Sequence, residues 1–325
     1  MNKKVLITGG CGTVGYFLAK SLSEQGQEVV IADNLSRGKM DKEVKALLEQ
    51  PNVKFVELDI TDFSQFNRLG SGYDYVYHLA AVNGTKNFYE KPQEVLKVGV
   101  QGVLNILEWF KEQKRGKILF TSSNEGYASY ISLTGGPLPT PENVPLCVDD
   151  VLNPRWSYGG GKIIGELLFV NWSRAYNFPM SIVRYHNSYG PRMGNEHVIP
   201  EFLARIIKQE DPFKIFGADA TRSFCYIDDT VRATQLVMES EKTNGEIVHI
   251  GNSEEISMLD LAKKMFDLFG FHPKNMEIHE APKGSVKRRC PDLTKIKQLT
   301  GFSAQTSLGE GLKKTYEWYK NRENL

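Results

Sequence analysis

The sequence predicts an α/β fold, a Rossmann-type doubly wound parallel sheet with a smaller C-terminal substrate-binding lobe. Three observations carry this prediction. The chain opens with a short apolar run and a glycine-rich turn, strand-like runs then alternate with helical patterns, and this regularity fades after residue 185. Alternating strands and helices favour a parallel sheet, whose ligands bind beyond the carboxyl ends of its strands.

The first thirty-three residues read as strand, turn, helix and strand. Apolar runs at 4–7 and 29–32 flank the pattern Gly-x-x-Gly-x-x-Gly. Such glycines allow a tight bend, close approach of the backbone to a pyrophosphate and close packing of the next helix. The helix N-terminus then offers N–H groups and a positive dipole end to the phosphates. We expect five residues of this turn to contact the cofactor, namely Gly9, Gly12, Thr13, Val14 and Gly15.

Asp33, with Asn34 beside it, ends the second strand eighteen residues past Gly15. A carboxylate there accepts hydrogen bonds from an adenosine ribose and repels a 2′-phosphate, which favours NAD over NADP. Nearby Arg37 favours NADP instead, because its positive charge attracts a 2′-phosphate. Asp59 ends the next strand and either reaches the adenine or caps a helix. The remaining cofactor contacts predicted at strand ends are Ile60, Leu79, Ala80 and Ala81.

Composition excludes several classes of protein. The chain has 325 residues, 41% of them apolar, and forty basic residues nearly balance thirty-nine acidic ones, so no surface for nucleic acid is indicated. No apolar run approaches the ~18 residues of a membrane span. The four cysteines are scattered, which indicates reduced thiols rather than disulfides or a metal site. We therefore expect a cytoplasmic protein without a metal.

The chemistry is predicted at two places. The strand-like run 117–120 ends in Thr-Ser-Ser-Asn-Glu, and Tyr158-x-x-x-Lys162 opens a helix further on. Tyrosine and lysine at i and i+4 share one helix face, so the ammonium is expected to lower the pKa of the phenol and make Tyr158 a general base. Lys162 is also expected to bind the nicotinamide ribose. Ser123 is expected to bind the same substrate oxygen as Tyr158.

These motifs together resemble the extended short-chain dehydrogenase/reductases that modify nucleotide sugars. The resemblance covers nearly the whole chain, and its further motifs are residues 153–155 (NPR), 184–192 (RYHNSYGPR), 222–229 (RSFCYIDD) and 289–292 (RCPD). It implies tightly held NAD, a 4-keto sugar and a lobe gripping a UDP- or GDP-linked sugar. It also implies phosphate contacts from Asn187, Arg222 and Arg289, and guanidinium groups suit a pyrophosphate. The less favoured alternative for each arginine is an internal salt bridge.

The chain departs from the family pattern in places. Gly99 stands where many relatives have asparagine, and the run 159–161 is all glycine, which is expected to give the substrate room. Ser123-Asn124-Glu125 lacks the Asp-Glu pair of 4,6-dehydratases and is similar to the trio of UDP-glucuronate decarboxylases. Asn124 is expected to contact the substrate. So is His197, which lies in a run similar to those of bacterial surface-polysaccharide enzymes. Glu125 is a second acid/base or an orienting carboxylate.

We thus expect an NAD-dependent enzyme that oxidises a nucleoside-diphosphate sugar at C4, with a 4-dehydrogenase or 4-epimerase outcome, for bacterial capsule or lipopolysaccharide synthesis. A decarboxylase or dehydratase using Glu125 is the alternative, and a non-catalytic NAD sensor is a third. Residues 1–185 are predicted to form the NAD domain, with 223–253 returning to it, and 186–325 mostly the nucleotide-sugar lobe. The resemblance implies a homodimer, built on helices near 100–109 and 163–170.

Overall fold

The computed structural model describes residues 2–194, 196–281 and 285–322. Its strands are β1 (Lys4–Thr8), β2 (Glu28–Asp33), β3 (Val53–Glu57), β4 (Tyr75–His78), β5 (Lys117–Ser123), β6 (Met180–Tyr185), β7 (Ser188–Tyr189), β8 (Phe213–Phe216), β9 (Thr221–Ser223), β10 (Cys225–Tyr226), β11 (Ile247–Ile250), β12 (Glu255–Ser257), β13 (Met276–His279) and β14 (Arg288–Arg289).

The helices are α1 (Thr13–Glu24), α2 (Lys42–Leu48), α3 (Thr85–Glu90), α4 (Pro92–Phe110), α5 (Ala128–Thr134), α6 (Trp156–Tyr176), α7 (Val198–Ile207), α8 (Ile227–Glu239), α9 (Met258–Phe269), α10 (Thr294–Thr300) and α11 (Leu308–Lys320). Short 3-10 helices span Phe63–Leu69, Asn124–Tyr127 and Glu241–Thr243. Within these described ranges, no helix combines the length and apolar character that crossing a bilayer requires.

Seven parallel strands form the main sheet, in the order β3-β2-β1-β4-β5-β6-β11. The predicted doubly wound fold is confirmed, and so is the return of the run 248–250, which forms most of β11 beside β6. Strand order reverses between β1 and β4, and this is where doubly wound sheets open a ligand crevice beyond their carboxyl ends.

Alternate residues of each strand serve opposite faces of the sheet. In β1, Val5 and Ile7 pack in a core with α1 and α8, whereas Leu6 packs in a second core with α4 and α6. All three side chains are fully buried. Because both faces are covered, the strands read as continuous apolar runs rather than alternating ones.

The C-terminal lobe is built from small sheets and helices. Its pairings are β7 with β10, β9 between β12 and β14, and β8 with β13, and α7, α9 and α11 pack around them in the core that also holds α1 and α8. The exact boundaries of the two predicted domains stay a prediction.

Helix α5 ends at Gly135, whose φ of 75° suits a helix C-terminus. The expectation about the glycine run 159–161 was wrong. That run does not line the cleft, so it gives the substrate no room there. Gly159 instead allows close packing, because a Cβ on it would lie 2.8 Å from the Glu125 carbonyl oxygen. A Cβ on Gly99, in α4, would lie 3.7 Å from Gly161 Cα, which is an ordinary van der Waals distance.

Helices α4 and α6, which carry the predicted dimer surface, pack against each other within the chain. Their buried apolar residues also pack on the sheet, in the core that contains Leu6. Leu96, Ile164 and Leu167 nevertheless stay 39%, 40% and 59% exposed. The homodimer remains a prediction, and these three side chains are where it would be tested.

Candidate active site

A cleft of about 1050 Å³ opens at the carboxyl edge of the sheet. One wall carries the glycine turn after β1 and the ends of β2, β4 and β5, while the lobe supplies the other wall. Every cofactor, catalytic and substrate residue predicted from the sequence lines this cleft. Residues far apart in the chain are therefore brought together where a doubly wound sheet binds its ligands.

The glycine turn has the geometry that its spacing predicts. Gly9 has a φ of +71°, and a Cβ there would lie 2.7 Å from Ala80 N, so only glycine fits. A Cβ on Gly15 would collide with the backbone of Gly9. The first helical bond of α1 runs from Tyr16 N–H to Gly12 O at 2.9 Å. The amides before Tyr16 thus precede the helical ladder and lie at the cleft, as a pyrophosphate site requires.

Asp33 lies at the ribose end of the cleft with its side chain anchored. Its carboxylate accepts hydrogen bonds from Cys11 N–H at 3.0 Å and Leu35 N–H at 2.8 Å. Burial raises the pKa of this carboxyl, and the two N–H groups offset only part of that rise. The two bonds hold the group at the end of β2, where the predicted ribose contact places it.

The neighbouring polar residues make local turns. Asp59 accepts from Thr61 N–H at 2.8 Å and from the Thr61 hydroxyl at 2.9 Å. The residue that caps the short helix Phe63–Leu69 is Asp62, so the capping alternative for Asp59 was wrong. The Asn34 side chain accepts from Ser36 N–H at 3.1 Å. Both residues line the cleft, so their predicted cofactor contacts stay predictions.

A segment of the lobe crosses over the glycine turn. The Thr13 hydroxyl donates to Arg192 O at 3.0 Å, and the Arg192 guanidinium donates to Asp41 at 2.8 and 3.0 Å. The Arg192 side chain is only 4% exposed. Because a buried ion pair resists separation of its partners, this contact fastens the lobe over the phosphate end of the cleft.

Ser123, Tyr158 and Lys162 meet at the carboxyl end of β5. The Ser123 hydroxyl lies close enough to Tyr158 to lower the pKa of its phenol. The Lys162 ammonium donates to Thr121 O at 2.6 Å and lies 5.4 Å from the centre of the Tyr158 ring. The predicted trio is assembled on the wall that faces the glycine turn.

The predicted pKa of Tyr158 was wrong in direction. Burial and the Glu125 carboxylate raise the pKa of the Tyr158 phenol, although Ser123 opposes this. Burial likewise lowers the pKa of Lys162 to about 7, so a large part of the ammonium charge is lost near neutral pH. The sequence argument counted the attraction between the two charges but not the cost of burying them.

Glu125 lies at the centre of an arginine cluster made of Arg155, Arg222 and Arg289. Its carboxylate accepts from Arg289 at 2.6 Å and lies 3.6 Å from Arg155. Burial raises the Glu125 pKa, but Arg289 and Arg155 outweigh it and keep the pKa lowered. Arg155 and Arg289 both lie next to Glu125. Each has a buried Nε for which the described chain provides no acceptor. Three positive charges against one negative charge leave the cluster suited to a further anion.

The predicted phosphate contacts are only partly free. The Arg289 guanidinium is engaged by Glu125, which realises the internal salt bridge named as its alternative. Arg222 donates to Thr221 O at 2.7 Å, and burial together with neighbouring Arg289 lowers its pKa to about 9. The Asn187 amide donates to Ser223 O at 3.1 Å. All three still line the cleft, and their role toward phosphate stays a prediction.

His197 and Asn124 also line the cleft. Burial, with Arg37 adding repulsion, lowers the pKa of His197 to about 4, so its imidazole is neutral at pH 7. Asn124 is only 4% exposed, and its amide contacts Ser123 and His186. Their predicted contact with substrate therefore involves neutral groups.

Sequence reasoning gave no role to two residues that touch this machinery, although one of them, Arg155, belongs to the motif 153–155. Phe88 stacks on Tyr158 from α3, and Arg155 pairs with Glu125. Arg155 carries a signal, because it lies three residues before Tyr158 at the start of the same helix. Phe88 carries none, because a lone aromatic in a short helix is typical of any core.

Comparison with known proteins agrees with this geometry. The model of the NAD-dependent epimerase/dehydratase family matches residues 5–251. The chain belongs to that family. It is 33% identical over its full length to the full-length UDP-N-acetyl-α-D-glucosaminuronate decarboxylase of Bacillus cytotoxicus.

Two solved structures show the family likeness in three dimensions. The UDP-glucose 4-epimerase of Thermotoga maritima, solved with UDP-glucose, has a TM-score of 0.86 and 30% identity, covering 98% of this chain and 99% of its own. The UDP-glucuronic acid 4-epimerase of Bacillus cereus, solved with UDP-glucuronic acid and NAD, has a TM-score of 0.85 and 27% identity, with the same coverage.

NAD is the cofactor of this family, and the residues present fit it. The cradle at Gly9 and Gly15 has no room for a Cβ, and the leading amides of α1 lie at the cleft. The Asp33 carboxylate suits the ribose of NAD and opposes a 2′-phosphate. The positive charge of Arg37 is not free to attract a 2′-phosphate, because its guanidinium lies 3.5 Å from Glu196. Across the described residues, no cluster of His, Cys, Asp or Glu suits a metal ion.

Proposed function

We propose that this protein oxidises a UDP-linked sugar at C4 with NAD. The observation that carries the proposal is the meeting of Ser123, Tyr158 and Lys162 on the wall that faces the NAD turn. The relatives that match the whole chain are named as enzymes of UDP-sugars, which favours UDP over GDP.

Proton transfer falls to Tyr158. In its ionised form the phenol accepts the proton of the 4-hydroxyl, while Ser123 binds the same oxygen. NAD, held by the glycine turn and Asp33, would supply the hydride acceptor for C4. Lys162, whose pKa is close to 7, is the neighbour whose charge stabilises the phenolate.

The contact of Arg192 with Asp41 and Thr13 supports a closed redox cycle. A net 4-dehydrogenase must release the reduced cofactor after every turnover. Here a buried ion pair fastens the lobe over the phosphate end of the cleft, which disfavours rapid cofactor exchange. We therefore propose that the hydride returns to the sugar, as in a 4-epimerase, rather than leaving with the cofactor.

The arginine cluster favours a second candidate, decarboxylation of a sugar that carries a 6-carboxylate. The buried donors on Arg155 and Arg289 and the net positive charge around Glu125 suit a sugar carboxylate. Once C4 is a ketone, that carboxylate belongs to a β-keto acid. Carbon dioxide can then leave, and C5 takes up a proton before the hydride returns to C4. The name of the Bacillus cytotoxicus relative agrees with this chemistry.

Incubation with a panel of UDP-sugars distinguishes these outcomes. The panel holds UDP-glucose, UDP-N-acetylglucosamine, UDP-glucuronate and UDP-N-acetylglucosaminuronate, each with and without added NAD. Mass spectrometry and NMR follow the products. An unchanged mass with inversion at C4 supports the epimerase, and loss of carbon dioxide from the uronates supports the decarboxylase. Absence of any conversion with NAD bound contradicts both and favours the NAD-sensor alternative.

A further inference from the structure

A buried carboxylate lies one turn beyond Lys162 on the same helix. Glu166 follows Lys162 by four residues in α6, and each residue is 4% exposed. The Lys162 ammonium donates to Thr121 O at 2.6 Å, and the Ser122 hydroxyl donates to Glu166 at 2.5 Å. The two charged side chains thus share one helix face and end at consecutive residues of β5. No step of the proposed reaction uses Glu166.

The Glu166 carboxylate is held in one orientation by Arg184 of β6. The guanidinium donates from Nε to Oε1 at 2.8 Å and from Nη2 to Oε2 at 2.7 Å, and the Arg184 side chain is only 3% exposed. A bidentate pair of this kind fixes both oxygens of a carboxylate. Glu166 is therefore a negative charge with a fixed position beside Lys162.

Two other titratable side chains face Lys162, and both are neutral. Burial raises the pKa of the Tyr158 phenol, while burial together with Lys162 lowers the pKa of His78, at the end of β4, to about 3. Of the charged groups in the described part of the chain, only Glu166 raises the pKa of Lys162, and it does so with Arg184 beside it. The charge of Lys162 therefore depends on Glu166 more than on any other side chain.

We propose that Glu166 is a positioning residue that keeps the proton on Lys162, so that the proton lost from the Tyr158–Lys162 pair comes from the phenol. This rests on the proposed C4 oxidation. One proton can leave this pair from either group, which gives two neutral side chains or an ammonium beside a phenolate. Only the second form presents a phenolate to the 4-hydroxyl. A fixed carboxylate beside the ammonium stabilises that form and increases its share.

Glu166→Gln tests the proposal through the pH dependence of kcat. The amide keeps the length of the side chain and an acceptor for Ser122, but the charge is lost. At pH 5, where both Tyr158 and Lys162 hold their protons, kcat should match wild type, because the small phenolate fraction there depends on Tyr158 alone. Near pH 8, kcat should level off at roughly one tenth of the wild-type plateau, and the apparent pKa of the rise should be about one unit lower.

Two outcomes would overturn the proposal. A loss of kcat by one factor at every pH would show a purely structural role, and a profile equal to wild type would show no role. Ser122→Ala is the matched control, because it removes a hydrogen bond to Glu166 but keeps the carboxylate and its pair with Arg184. Its profile should rise with the wild-type pKa. A control shifted as far as Glu166→Gln would attribute the shift to packing and also overturn the proposal.

A double variant covers the case in which Glu166→Gln does not fold because Arg184 has lost its buried partner. Glu166→Met with Arg184→Met replaces the whole ion pair by apolar side chains, which folded proteins often accept without loss of stability. The same agreement with wild type at pH 5 and the same lower plateau are expected.

The ¹³C resonance of Lys162 Cε, identified by its absence in Lys162→Met, reports the charge of the ammonium without turnover. In the full-length, NAD-bound protein, we expect its titration midpoint to lie about one pH unit lower in Glu166→Gln than in wild type. Equal midpoints would overturn the proposal. Failure of wild type to convert any sugar is a separate result, which contradicts only the proposed function.

Discussion

The phenol ring of Tyr158 lies flat against the phenyl ring of Phe88, with centroids 5.1 Å apart and planes inclined by 16°. Phe88 comes from α3, a short helix at the rim of the cleft, and is 5% exposed. One face of the Tyr158 phenol is thus covered by an apolar ring. This contact fixes the plane of the phenol and contributes to the burial that raises its pKa.

Phe88→Ala should therefore lower kcat by roughly 10- to 100-fold, because the phenol loses its orientation. The loss should be smaller in Phe88→Leu, which keeps most of the apolar volume. Steady-state kinetics measure both. Phe63→Ala removes another stacked but 51% exposed ring and serves as the control. An unaltered kcat in Phe88→Ala would show that the stack does not position the phenol.

Tyr158→Phe should lower turnover by about 10²- to 10⁴-fold, which is the usual contribution of a general base. NAD binding, measured by the absorbance of the purified protein, should persist because the glycine turn is untouched. Tyr176→Phe is the control, since Tyr176 lies in the same helix and is half exposed. Wild-type turnover in Tyr158→Phe would contradict the assignment of the base.

Glu125→Gln should separate oxidation from decarboxylation if the substrate is a uronate. The change removes the negative charge of Glu125, which pairs with Arg289 and Arg155. It leaves the Ser123 and Tyr158 side chains in place. We expect carbon dioxide release to fall roughly 100-fold, on the scale of acid–base contributions, with NADH appearing by absorbance as oxidation continues. Loss of both signals together would place Glu125 in binding instead.

Arg192→Ala should loosen NAD. The variant leaves Asp41 without its buried partner, and we expect cofactor dissociation at least roughly tenfold faster, about 1.4 kcal/mol. The fraction of NAD retained after gel filtration measures this, and turnover should come to depend on added NAD. Arg232→Ala breaks the ion pair with Asp229 in α8 and is the control. Full retention in Arg192→Ala would contradict the proposed closed cycle.

The buried Lys162 makes stability depend on pH. Its pKa is about 7 in the folded protein, against 10.5 for an unperturbed lysine, so between these values the unfolded chain binds more protons. Stability should therefore rise with pH across this window, by at most about 1.4 kcal/mol per pH unit. Urea unfolding without added NAD compares wild type with Lys162→Met. The stability gained by Lys162→Met should be largest near pH 6 and should shrink toward pH 9.

Lys117 contributes in the same direction, because burial lowers its pKa to about 8. It is present in both wild type and Lys162→Met, so it cancels in their difference. A difference in stability that does not change with pH would contradict the lowered pKa of Lys162.

The sequence predicted the half of the site that depends on local chemistry. The glycine spacing, Asp33 and the Tyr158–Lys162 pair each act over a few residues, and the order of strands and helices was enough to place them on one edge of the sheet. The sequence did not predict what depends on long-range packing. The direction of the Tyr158 pKa, the engagement of Arg289 by Glu125 and the stack of Phe88 all follow from burial and from contacts across the fold.

The glycines of α6 show the same limit. Gly159 reads as spare room in a sequence, but the backbone of Glu125 approaches it too closely for any side chain. Only the packed structure shows whether a glycine borders a ligand or another element.

The neighbouring positions of β6 and β11 have one further consequence. Both strands end at the cleft edge, so the chain leaves the sheet for the lobe twice, at adjacent places. Insertions or substitutions in these two segments of the lobe need not change the pairing of the seven strands. Sugar preference and hydride chemistry can therefore diverge separately during evolution, and a graft of a relative's excursions onto this sheet is a direct route to altered specificity.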